Sequence, residues 1–119
     1  MPASSKETQN VDRYELEQGT VTNIGTTVEA SDSITLQITQ APTWKLTARD
    51  GTQITSGTST SYDTAAKQNP SASVRLDTTA IPPGQYYLTT TIHLLGSDTL
   101  LRTVTQSCQV QVSDRPPWP

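Results

Sequence analysis

The chain has 119 residues, 32% hydrophobic and 16% charged, which is one domain's worth of sequence. A net charge of −3 with a pI near 4.9 leaves no basic stripe to neutralise phosphates, which argues against a nucleic-acid binder. No run approaches the ~20 apolar residues of a membrane span, residues 1–20 lack a signal-peptide core, and one Cys with one His excludes a disulfide framework or a Cys/His metal site.

The polarity is mostly uncharged: 22 Thr, 12 Ser and 10 Gln fill 44 of the 119 positions, and there is no Phe. Thr is β-branched and stiff at its first side-chain torsion, so it disfavours helix and suits a half-solvated pleated surface. Composition therefore predicts an all-β protein with one wet face per sheet.

In chain order, residues 1–19 read as a polar N-terminal arm, 20–112 as the folded body and 113–119 as a tail. Within the arm, Tyr14 and Leu16 share one side of RYELEQ, a weak strand signal and a candidate contact surface. Val21, Ile24 and Val28 follow, with Gly25 predicting a bulge or bend. Ser33 to Gln40 alternates strictly through Ile34, Leu36 and Ile38 until Ala41-Pro42 breaks it. Trp44, Leu46 and Ala48 share the next inner face, and Asp50-Gly51 predicts a two-residue type I′ hairpin with positive φ at both centres. The return strand from Thr52 to about Thr58, with Ile54 its only large apolar residue, reads as a short edge. Residues 57–71 form a long polar connection, with one helical turn expected at Ala65-Ala66-Lys67.

Alternation resumes from Ala72 to Asp77. Ile81-Pro82-Pro83-Gly84-Gln85-Tyr86 then opens a long strand whose inner face is Tyr86, Leu88, Thr90, Ile92 and Leu94. Pro83, Gly84 and Tyr86 predict a tyrosine corner, the hydroxyl returning to upstream backbone. Tyr87 points the other way, a surface aromatic open to contact. After the turn at Gly96-Ser97-Asp98, the last strand carries Cys108, Val110 and Val112 inward, with a bulge expected near Thr105–Ser107. The tail DRPPWP cannot pair in a sheet interior. Its Arg115, Pro116, Pro117 and Trp118 are candidate anchors, because Trp is favoured at interface centres and proline lowers ordering cost. Seven or eight strands at such spacing predict an immunoglobulin-like antiparallel β-sandwich.

No side chains converge on chemistry. His93 faces solvent without a second His, and Cys108 is a lone in-phase core residue without a base nearby. The acids Glu7, Asp12, Glu15 and Glu17 form a solvated cluster, and Asp32, Asp77 and Asp98 are turn caps rather than calcium ligands. No catalytic, cofactor or metal residue is expected.

The order ASDSITLQI, WKLTARDGTQI and VRLDTTAIPPGQYYLTTTIHLLGSDTLLRTVTQSCQVQV resembles the small immunoglobulin-like domains of tailed-phage virions. Asp50, Gly51 and Thr52 match their hairpin; Pro83, Gly84 and Tyr86 match their corner. The resemblance covers roughly residues 30–112 and implies a non-enzymatic virion protein. The expected role is capsid decoration or cementing, binding the major capsid or other virion proteins, with a homo-oligomer such as a trimer possible. A neck, fibre or baseplate part is the alternative within that class. The absence of a signal peptide and the initial Met imply synthesis in the host cytoplasm and residence in the virion. A second reading is a carbohydrate-binding or adhesive module that stacks sugars on Trp44, Tyr62 or Tyr87.

Overall fold

Branched apolar residues alternating with Thr, Ser and Gln build strands throughout this computed structural model. It describes residues 5–9 as backbone, and 13–30 and 33–114 in full. The strands are β1 (Ser5–Gln9), β2 (Arg13–Glu17), β3 (Val21–Ala30), β4 (Leu36–Ile38), β5 (Thr43–Ala48), β6 (Gln53–Thr58), β7 (Ser61–Tyr62), β8 (Ser71–Asp77), β9 (Gly84–Gly96) and β10 (Leu101–Ser113). There is no helix among the described residues.

One sheet has the order β1-β3-β8-β7; the other runs β2-β10-β9-β5-β6, with β4 also on β9. The first matches the four-stranded sheet of an immunoglobulin sandwich, and the second its three-stranded partner sheet with a further strand at each edge, β2 and β6. All pairings are antiparallel except β2 on β10, where Arg13 stands beside Gln109 and Ser113 beside Glu17. The fold is an immunoglobulin-like β-sandwich.

Segment 1–19, expected as an arm, supplies one strand to each sheet. Ser5 pairs with Ala30 on one side, while Arg13–Glu17 line β10 on the other. Thr78 then ties the two together. It is fully buried, its Oγ–H donates to Glu17 O at 2.7 Å, and the Thr20 N–H donates to it at 3.0 Å.

The interior is divided along its length. One apolar cluster holds Leu16, Ile24, Leu46, Val74, Leu76, Ile81, Tyr86, Leu88, Cys108, Val110 and Val112. The other holds Val28, Leu36, Ile38, Ile92 and Leu94. Between them a polar row crosses the larger sheet, because Trp44 pairs with Thr90 and Thr90 with Gln106. Thr90 is 1% exposed, and its Oγ1 and the buried Gln106 Oε1 find no partner among the described residues. Across the waist, Thr26 of β3 is 2% exposed.

Five local expectations are corrected. The Asp50-Gly51 hairpin is not type I′: the Gly51 N–H donates to Ala48 O at 3.0 Å, and of Arg49, Asp50 and Gly51 only Gly51 has positive φ (90°). It is a three-residue loop with glycine in the left-handed position, and the bulge between Leu46 and Thr47 absorbs the extra residue. The Ser33–Gln40 run reduces to β4, because the residues before it are drawn to the hairpin tip, where the Thr35 N–H donates to Ser97 Oγ at 3.1 Å. Gly25 makes no bulge; β3 and β8 keep one register from Val21 to Thr27. No helical turn forms at residues 65–67, since Lys67 exchanges backbone hydrogen bonds with Leu36 at 2.7 and 2.9 Å. Nor does a bulge interrupt β10: its register on β9 is unbroken from Leu101↔Leu95 to Val112↔Gly84, so Arg102, Val104 and Gln106 point inward in phase with Cys108.

Candidate interaction surface

The longest strand pair, β9 with β10, builds two surfaces at its opposite ends. At the tip, the Gly96 N–H donates to Leu100 O at 2.9 Å, which sets the phase of the ladder. Even-numbered residues of β10 therefore bond to β9, while Leu101, Thr103, Thr105 and Ser107 direct their backbone groups to the outer edge. The Gln18 N–H donating to Ser113 O at 2.9 Å on that edge confirms the phase. β2 covers the edge only from Gln109 to Ser113. From Leu101 to Ser107 no described strand pairs with it, although β1 packs against β10.

The same end is apolar. Leu101 is 78% exposed, with Leu100 and Leu95 beside it. The turn carrying them is under strain: Thr99, a β-branched residue, sits at φ 69°. Asp98 holds the turn by accepting the Leu100 N–H (3.2 Å) and pairing with the Arg102 guanidinium at 2.6 Å. The Arg102 hydrogen bonds hold the Asp98 carboxyl down at about 2. The pair lies over Gly96, where a Cβ would overlap both the Arg102 and the Asp98 side chains.

At the other end, the outward face of the large sheet carries two cross-strand rows. One is Thr47–Tyr87–Gln109–Arg13; in the other, Gln85–Gln111–Glu15 continues toward Arg49 in the hairpin. Of these, Arg13, Arg49, Gln85, Tyr87, Gln109 and Gln111 line a recess of about 200 Å³. Tyr87 is 39% exposed there. Arg13 donates to Gln111 Oε1 and pairs with Glu15 at 3.4 Å, whereas Arg49 forms no ion pair among the described residues.

The candidate residues separate by position. Asp50 and Gly51 form the hairpin, and the Asp50 carboxylate accepts the Thr52 N–H at 3.0 Å, which lowers its pKa. The corner is as expected: the Tyr86 O–H donates to Pro82 O at 2.5 Å beside Pro83 and Gly84. Leu16, by contrast, is buried in the core, and Tyr14 packs half-buried against the same cluster with its phenol pKa raised by burial. Both face inward because β2 joins the sheet. Of the three rings offered for sugar stacking, Trp44 and Tyr62 pack against the two clusters, leaving Tyr87 outward. Arg115, Pro116, Pro117 and Trp118 lie outside the described residues. His93 donates to or accepts from Thr103 Oγ1 at 3.1 Å, and Cys108 is buried. The exposed leucines and the stretch of β10 that β2 leaves unpaired were not singled out in the sequence. The signal was present as a charge-free run from Thr103 to Ser113.

No family model and no curated protein matches the chain. Solved structures do. A family 123 glycoside hydrolase from Clostridium perfringens, studied for glycolipid glycan hydrolysis, aligns with 97% of this chain at 9% identity and a TM-score of 0.52. The chain spans 28% of that enzyme's length. A chain from the structure describing T cell specificity and activation by the superantigen toxic shock syndrome toxin-1 aligns over 92% of this chain and all of its own, at 10% identity and TM-score 0.51. The periplasmic chaperone SfaE aligns over 96% of this chain and 60% of its own, at 8% identity and TM-score 0.45. At such identities the first two likenesses show the fold alone.

Proposed function

We propose that this chain is a non-enzymatic structural protein of a tailed-phage virion, a decoration or cement subunit that binds and bridges neighbouring shell subunits. The sequence resemblance to virion immunoglobulin-like domains supports the class. The observation that carries the docking role is the leucine cap at the β9–β10 tip, where Leu95, Leu100 and Leu101 are 38%, 44% and 78% exposed. Adjacent exposed leucines in so polar a chain mark a contact surface, and each is worth up to ~1.5–3 kcal/mol when covered.

The test replaces Leu95 and Leu100 by Asp and measures occupancy on purified shells of the parent phage. Occupancy falls at least about tenfold, the equivalent of ~1.4 kcal/mol, while circular dichroism stays that of the wild type. Undiminished occupancy would remove the cap from the docking surface.

A second reading, a carbohydrate-binding module, has its own observation: Tyr87 stands exposed among Gln85, Gln109, Gln111 and two arginines. An aromatic face beside amides suits a sugar ring and its hydroxyls. Glycan-array signal abolished by Tyr87→Ala would favour it.

A further inference from the structure

The outward face of the large sheet treats its polar groups differently at its two ends. Toward the tip they satisfy one another: the Thr89 and Ser107 hydroxyls lie 2.9 Å apart, and His93 Nδ1 is 3.1 Å from Thr103 Oγ1. Toward the corner, Arg13 is engaged by Gln111 and Glu15. The side chains of Gln85, Tyr87, Gln109 and Arg49, in contrast, form no hydrogen bond or ion pair among the described residues. These four line one recess in the body of the sheet, where Tyr87 stands between Thr47 and Gln109. The charge there is one-sided. β5, β6, β9 and β10 contain no Asp or Glu. Glu15 is held by Arg13, and the carboxylate of Asp50, beside Arg49, accepts the Thr52 N–H. A chain of net charge −3 thus turns a cationic recess outward.

We infer that this recess takes a sugar bearing a carboxylate, a uronate or sialate unit of an acidic saccharide. The assignment rests on the carbohydrate reading and names the ligand class of that site. Tyr87, 39% exposed, offers a ring face to the C–H side of the sugar. The amides of Gln85 and Gln109 each present donors and an acceptor, which matches hydroxyls that do both. Arg49 has no competing anion, and its planar fork meets a carboxylate through two parallel N–H···O bonds. At about 200 Å³ the recess is smaller than the ~300–1,000 Å³ of sites for drug-sized ligands, so it holds one sugar unit. An acidic peptide is matched less well. Its carboxylates would find Arg49, but its backbone would find no free strand, because β9 at Tyr87 and β10 at Gln109 are paired on both sides.

Calorimetric titration of the full chain tests it. The acidic probes are trigalacturonate and sialyllactose, the neutral ones maltotriose and lactose, and triglutamate stands for an acidic peptide. At least one acidic saccharide binds about tenfold or more tighter than its neutral counterpart, and which one does so separates uronate from sialate. Raising salt to ~0.5 M weakens the acidic probe and leaves the neutral ones unchanged. Arg49→Gln erases the preference, Arg49→Lys keeps part of it, and Tyr87→Ala removes binding of every saccharide. Both positions are exposed, so the circular dichroism of each variant stays that of the wild type. Acidic and neutral saccharides bound equally would overturn the acidic assignment and leave the carbohydrate reading standing. No saccharide bound at ~10 mM would overturn both. Triglutamate held as tightly as the acidic saccharides would overturn the assignment in favour of a peptide, and an Arg49→Gln protein that keeps the preference would overturn it outright. Shell docking is read at the leucine cap and is independent of each result.

Discussion

The corner end and the tip end of this sandwich are built from the same two strands and solve the edge problem differently. At the corner, β2 covers β10, Tyr86 closes the turn onto Pro82, and eleven buried residues form one cluster. At the tip the cluster has five, the turn strains Thr99, an ion pair holds the loop, and no described strand pairs with the β10 edge. The corner is organised for stability. The tip gives up some of it to present leucines, and local opening is expected to begin there.

The largest test of that contrast is Leu88→Ala, which empties the centre of the corner cluster. It should cost about 2–5 kcal/mol in urea unfolding, against a smaller loss for Val104→Ala, which is only half-buried above the waist. Equal losses would break the comparison. Tyr86→Phe keeps the ring and deletes the hydrogen bond to Pro82 O, for an expected loss of about 0.5–1.5 kcal/mol. A neutral result would mean the corner is held by proline and packing alone.

Thr90→Val probes the waist. It removes a buried hydroxyl without a described partner at nearly constant shape, so thermal stability should rise, by up to ~1 kcal/mol. A fall would show that the hydroxyl is satisfied, for instance by a buried water. The smallest effect belongs to the Asp98–Arg102 clamp, which keeps contact with solvent. Its carboxyl is depressed from 3.8 to about 2, so the clamp's contribution is fully present above pH 3.8 and is lost as pH falls through about 2. Urea midpoints should decline less between pH 5 and 2 in Asp98→Asn than in the wild type. Identical declines would place the acid sensitivity elsewhere.

Much of this was legible because period-2 alternation reports a local property. Trp44–Leu46–Ala48, the long Tyr86–Leu94 face and the proline–glycine–tyrosine corner appear in the chain as they do in the fold. Type I′ against the three-residue hairpin was not legible, since Asp-Gly serves both and the choice depends on how β5 and β6 register. Nor was the inward path of Arg102 and Gln106. A polar residue in phase with a core looks like a bulge until its cross-strand partners, Leu94 and Thr90, are known. Tyr14 and Leu16 were misplaced for the same reason: five residues alternate weakly, and only pairing with β10 turns them to the interior.

The Thr-rich, Phe-free composition and its alternation determined by themselves that the chain is all-β, sandwich-sized and polar on its outer faces, because side-chain branching and period act residue by residue. Only the tertiary structure decided which edges are covered. Strand order depends on long-range pairing that no single segment encodes. By sending β1 to one sheet and β2 to the other, it paired the lower half of β10 and left Leu101 to Ser107 without a paired strand among the described residues.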